Sequence, residues 1–155
     1  MIRALTILAT LALGAAAWLL GAAWRRAASL RNIAAARAEF SAHRHRLQED
    51  FRAAANVTGK PRGLVWKRCE FQNGLVLARD RATGELLGLV GATISFEAVP
   101  GGGMEEVEAV GNLRAATAVL TWTGHDWTTA GRAVFNLEPR EVLDRYRDSL
   151  EPVIP

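Results

Sequence analysis

The chain has 155 residues, a net charge of +3 and a single cysteine. One cysteine excludes an intramolecular disulfide framework, and the length allows one small domain beside any helical tether. Residues 60–155 carry eleven basic and thirteen acidic residues. That balance is slightly acidic, whereas a nucleic-acid-binding domain would carry a basic excess, so nucleic acid is not an expected partner.

From Ala4 to Trp24 there are twenty-one residues without a charge, and Arg25 and Arg26 follow directly. About twenty apolar residues at roughly 1.5 Å each span the ~30 Å hydrocarbon layer of a bilayer. The run therefore predicts a transmembrane anchor over residues 1–24. A cleaved signal peptide is the competing reading, but its apolar core is usually ~7–15 residues. Gly14, Ala17 and Gly21 fall near one helical face, which reflects abundant small residues rather than a specific dimer contact. Arg25, Arg26 and Arg31 lie where they would meet anionic headgroups at the membrane surface. Basic residues beside a span stay on the cytoplasmic side. The expected topology is single-pass, with the C-terminal domain in the cytoplasm.

Residues 25–59 carry seven arginines against three acids. They are rich in Ala, Arg, Glu and Leu, which favour helix. Leu30, Ile33, Arg37, Phe40, Arg44, Leu47 and Phe51 recur at spacings of three and four. This predicts a basic helical stalk, either a short coiled coil or a helix lying on the domain or on lipid. Asn56, Thr58, Gly59 and Pro61 end it, and the domain boundary is drawn there.

Residues 60–155 change to a period of two. Gly63 to Gln72 reads as a strand, Asn73-Gly74 as a tight hairpin turn, and Leu75 to Asp80 as the returning strand. Arg81 to Gly84 forms a second turn. Glu85 to Val99 alternates, with Ala92, Ile94, Phe96 and Ala98 opposite Thr93, Ser95 and Glu97. Pro100 to Gly103 reads as a flexible loop and Glu105 to Val110 as a short strand. Leu113 to Thr123 and Trp127 to Leu137 are strands joined by a turn. Pro139 to Leu150 predicts a helix that packs Leu143, Tyr146 and Leu150 on the sheet. The expected fold class is α+β: a transmembrane helix continuing into a stalk, then an antiparallel sheet of five or six strands with one C-terminal covering helix.

No linear catalytic, metal or nucleotide signature is present, so no cofactor and no enzymatic activity are expected. His43 and His45 are two apart on a helix and point about 200° apart, so they do not share a ligand. His125-Asp126 is read as turn chemistry, Cys69 as a small buried hydrophobe, and Glu105, Glu106 and Glu108 as a solvated edge. Gly101 to Gly103 lacks the glycine spacing and following helix of a phosphate loop. The strongest site candidate is aromatic: Trp66, Trp122 and Trp127, which would line a ligand groove on the sheet. The functional expectation is a membrane-anchored interaction or assembly module, binding lipid through its anchor and a protein or itself through stalk or sheet. The alternative is an anchored or exported ligand-binding domain.

Overall fold

The computed structural model describes residues 2–58 and 63–154, with the side chains of residues 2–13, 15 and 16 outside that description. In chain order the elements are helix α1 (Ile2–Thr58), strands β1 (Leu64–Asp80) and β2 (Leu86–Ala98), a short 3-10 helix (Glu108–Gly111), β3 (Arg114–Trp122), β4 (Trp127–Thr128), β5 (Ala133–Phe135), helix α2 (Pro139–Arg145) and β6 (Leu150–Pro152). The chain divides after Ala35 into two compact units.

The first unit is helical. No Gly or Pro interrupts α1 beyond Gly21, and the helix runs through the arginine-rich flank without a break. Among the described residues, however, no helix is both long and apolar enough to cross a membrane. The transmembrane span is therefore not supported. Residues 4–13, 15 and 16 of that run lie outside the described side chains, and from Ala17 only eight residues precede Arg25. That remainder is too short to span a bilayer.

The second unit, Ala36–Ile154, holds the sheet. The last part of α1 belongs to it. Ala36, Phe40, Leu47, Phe51 and Ala55 are buried, an i, i+4, i+7 stripe that turns one helical face to the sheet. Phe51 and Leu47 are fully buried, each contributing roughly 1.5–3 kcal/mol relative to exposure. The two arginines of the expected seam, Arg37 and Arg44, are only half-buried. The helix bends at His43, whose φ of −118° and ψ of 18° are not helical. There Arg44 donates to the Asn73 side chain, and His43 Nδ1 meets Glu39 Oε1 at 2.6 Å. At the C-terminal end Thr58 Oγ1 donates to Ala130 O at 2.7 Å, fixing the last turn to the loop after β4.

The sheet is antiparallel, ordered β4-β3-β2-β1-β6, with β5 beside β3 as well. It has six strands, as the alternation implies, but the chain is cut differently. Asn73-Gly74 does not turn. β1 continues through it, pairing with β2 from Leu64↔Ala98 to Arg79↔Leu86. Phe71 to Leu75 advances four residues while the partners Ala92 and Val90 advance two. Two extra residues are thus extruded as a bulge, and an even number leaves the facing unchanged. Nearer the start, Trp66↔Phe96 and Arg68↔Ser95 set two residues against one. That single-residue bulge reverses the parity, so Trp66 and Cys69 both face inward. Gly74 is not among the glycines at positive φ, so the geometry of a two-residue hairpin is absent.

The real hairpin is at Arg81 to Gly84. Gly84 has a φ of +76° and its N–H donates to Asp80 O at 2.8 Å, while Asp80 Oδ1 accepts from Ala82 and Thr83 N–H. The predicted strand over Glu105 to Val110 is instead the 3-10 turn. The strand from Trp127 to Leu137 is split into β4 and β5. α2 is shorter than expected, ending at Arg145; Val142 is its buried residue, and Leu150 lies in β6. Tyr146, expected to pack on the sheet, is 43% exposed.

Each face of the sheet has its own cover. On one side α1 packs over Trp66, Phe71 and Trp127. On the other, Val142 of α2 joins Ala78, Leu87, Leu89, Val119 and Leu150 in a second cluster. α1 also caps the open edge of β1. Asn56 Oδ1 accepts from Trp66 N–H and Gln48 Oε1 from Phe71 N–H, both at 2.9 Å. These bonds satisfy strand amides that no neighbouring strand reaches.

Candidate aromatic cleft

The three tryptophans expected to share a groove are separated into two places, and all are buried: Trp66 3% exposed, Trp122 6% and Trp127 3%. Trp122 and Trp127 pair across β3 and β4 with ring centroids 5.3 Å apart. Trp127 Nε1 donates to Ala36 O of α1 at 2.8 Å, and its ring lies where a Cβ at Gly88 would be. This pair is a structural clamp between sheet and helix.

Trp66 belongs to a different cluster, at the other end of the sheet. Its ring meets Phe96 at 5.1 Å, Phe51 at 5.8 Å and Phe135 at 6.1 Å. Its indole N–H is buried and has no hydrogen-bond partner among the described residues. A small recess beside it is lined by Thr58, Ala130, Gly131 and Phe135. Phe135 is 40% exposed. It separates that recess from a cavity of about 330 Å³ lined by Leu64, Phe96, Met104, Val107, Val110 and Phe135, with Arg114 and Asn136 as its polar lining. Phe96 and Phe135 carry the signal that sequence reading missed. Phe96 lies on β2 and Phe135 on β5, with β3 between them, and the split of β4 from β5 brings Phe135 onto this cluster.

The glycine loop that precedes Met104 is held against Gly63 and Val99 rather than swinging free. A Cβ at Gly102 would come within 2.8 Å of Gly63 Cα, so two backbones touch where only glycine fits. Val99 N–H donates to Gly63 O, and Gly102 N–H to Val99 O at 2.8 Å. Gly101 N–H donates to the Glu105 carboxylate. The loop's amides are thus engaged and form no phosphate cradle. Backbone amides, Glu105's own first and then Gly101's, hold the Glu105 carboxyl below its usual range. Met104, Val107 and Val110 follow and present their side chains to the cavity.

The remaining candidates are dispersed. His125 and Asp126 sit in the β3–β4 turn, where Asp126 pairs with Arg46 at 2.8 Å. The Arg46 guanidinium holds the Asp126 carboxyl below its ordinary value. His43 is tied to Glu39 and His45 is exposed. Cys69 is 4% exposed, and burial pushes its thiol up to about 12. Glu106 and Glu108 are exposed. Among the described residues no group of three His, Cys, Asp or Glu is placed to hold a metal ion. Arg25, Arg26 and Arg31 are exposed on the first unit, Arg31 donating to Ala27 O at 3.3 Å.

The arrangement therefore offers an apolar cavity with a few polar groups, the usual make-up of a small binding site. No protein-family model matches this chain, and no curated protein or solved structure matches it.

Proposed function

We propose that this chain is a membrane-associated interaction module rather than an enzyme: its N-terminal helix lies in a bilayer, and its sheet unit stands on the cytoplasmic side and binds a partner. The observation that carries the reading is the exposure of Trp18 at 68%, Leu19 at 61%, Leu20 at 72% and Trp24 at 75%. At about 100° per residue Trp18, Leu19 and Leu20 point in three different directions around α1, with Trp24 one turn beyond Leu20 on the same face. A helix that is apolar all round belongs in a membrane or a large protein core. The twenty-one uncharged residues and the following Arg25 and Arg26 support the same reading from sequence, and the arginines favour a cytoplasmic sheet unit.

The test is a topology assay on the full chain, with a reporter active only outside the cytoplasm fused after Pro155 and membranes fractionated in parallel. The expected result is a membrane-bound, inactive reporter that becomes soluble when residues 1–24 are deleted. A soluble full-length chain overturns the proposal. An active, membrane-bound reporter reverses the orientation.

The cavity beside Phe96 and Phe135 favours a second reading, in which the sheet unit holds an apolar group of a small molecule or a peptide side chain. Trp66 lies against both phenylalanines, so an occupant should perturb its fluorescence. An apolar probe that changes the emission of the native chain but not of Val110→Trp, which fills the cavity, would establish this reading. Equal responses from both proteins would remove it.

A further inference from the structure

At the edge of the sheet where β1 meets β6, a groove of about 690 Å³ is lined by Arg37, Arg81, Arg140 and Arg147, with Asp144 as the one carboxylate in its described lining. The clustering is not a matter of composition, because residues 60–155 as a whole carry more acids than bases. It is a product of folding: Arg37 comes from α1, Arg81 from the first hairpin, and Arg140 and Arg147 from α2 and the turn behind it. Arg81 is occupied, since its guanidinium meets Glu151 at 3.7 Å and also reaches Arg147 O. The other three are not. Among the described residues Arg37, Arg140 and Arg147 have no ion pair. Arg37 Nε is moreover buried without a hydrogen-bond partner among the described residues, a state that an acceptor oxygen in the groove would relieve. Beneath the arginines the groove is apolar, with Leu75, Leu77, Leu143, Val153 and Ile154 in its lining. Ile154 is 81% exposed, with no cover of its own.

We propose that this groove binds the phosphate headgroup of an anionic phospholipid, with Arg37, Arg140 and Arg147 as its cationic lining and Leu143, Val153 and Ile154 against the glycerol and first acyl carbons. Guanidinium forks match phosphate oxygens in shape and number, and three of them exceed what one carboxylate can accept. The apolar residues favour an amphiphile over a free ion. The proposal goes beyond the tether described above and rests on different residues. It is tested without a bilayer, so failure of one does not entail failure of the other.

The experiment titrates dihexanoyl phosphatidic acid, below its micellar concentration, into the full chain held in non-ionic detergent, followed by calorimetry. Dihexanoyl phosphatidylcholine and inorganic phosphate serve as comparisons. The expected result is saturable binding of the phosphatidic acid that weakens roughly tenfold or more in R140Q/R147Q and by a smaller factor in R140K/R147K, which keep the charge but lose the guanidinium fork. Both arginines are exposed, and unchanged circular dichroism would confirm that these variants fold. R37Q should weaken binding as well. Inorganic phosphate binding as tightly as the amphiphile would overturn the lipid assignment in favour of a free-anion site. Equal binding of phosphatidylcholine, undiminished binding in R140Q/R147Q, or no saturable binding would overturn the proposal outright.

Discussion

Cys69 shows how one side chain reports its surroundings. It faces inward from β1 opposite Ile94 and is 4% exposed. Burial is the largest cause of its raised pKa, the nearby Glu49 adds to it, and together they outweigh Arg52. The thiol is therefore neutral and inert in the folded protein. We expect it to resist a disulfide reagent at pH 8 in the native state and to react rapidly once guanidinium unfolds the chain. Its folded pKa is raised above the unfolded value. The stability it contributes is fully present below pH 9 and is lost as pH climbs towards about 12. The difference in unfolding free energy between the native chain and Cys69→Ala should accordingly shrink over that window. A constant difference, or fast native labelling, would show that the site is open to water.

At the scale of elements, the decisive contact is between backbones. β4 and β5 are interrupted because the loop between them lies directly against the end of α1. Gly131 is buried at a φ of +73°, and a Cβ there would come within 2.6 Å of Ala55 Cα. Gly131→Ala should cost about 2–4 kcal/mol, the left-handed conformation and the overpacking each contributing. Gly84 supplies the control. Its φ is +76°, yet nothing lies within 4 Å of a Cβ there, so Gly84→Ala should cost only the conformational part, about 1–2 kcal/mol. Urea midpoints of the two variants measure this. Equal losses would mean that α1 does not press on the loop. In the sequence Gly131 is one small residue within the expected Trp127 to Leu137 strand. Nothing local reveals that a helix seventy-odd positions earlier occupies the space where its side chain would be.

For the whole molecule, the question is where the folding unit begins. The sheet's edge amides at Trp66 and Phe71 depend on Asn56 and Gln48, and Trp127 on Ala36. A chain starting at Ala36 should therefore melt cooperatively with native near-ultraviolet circular dichroism. A chain starting at Lys60 should lose that signal, because the face holding Trp66, Phe71 and Trp127 would be stripped of its cover. Cooperative melting of the shorter chain would show that the last turns of α1 are dispensable.

Much of this organisation was written locally. The uncharged run, the arginine flank, the helical composition up to Thr58, the alternation of β2 and the Arg81–Gly84 turn all depend on near neighbours, and a residue's near neighbours are the sequence itself. An antiparallel sheet of five or six strands followed from that alternation, though not the way the chain is cut into them. Tertiary structure decided what depends on distant partners. Asn73-Gly74 has the chemistry of a turn, but β2 offers β1 pairing on both sides of it, so the two residues become a bulge. Trp66, Trp122 and Trp127 share a residue type but not a place, because the strand register sets Trp66 opposite Phe96 at one end of β2 and Trp122, with Trp127 beside it, opposite Leu86 at the other. The cavity beside Phe135 and the arginine groove are likewise assembled from segments far apart in the chain. Pairing and packing over such separations depend on which surfaces meet after folding, and no local pattern encodes that.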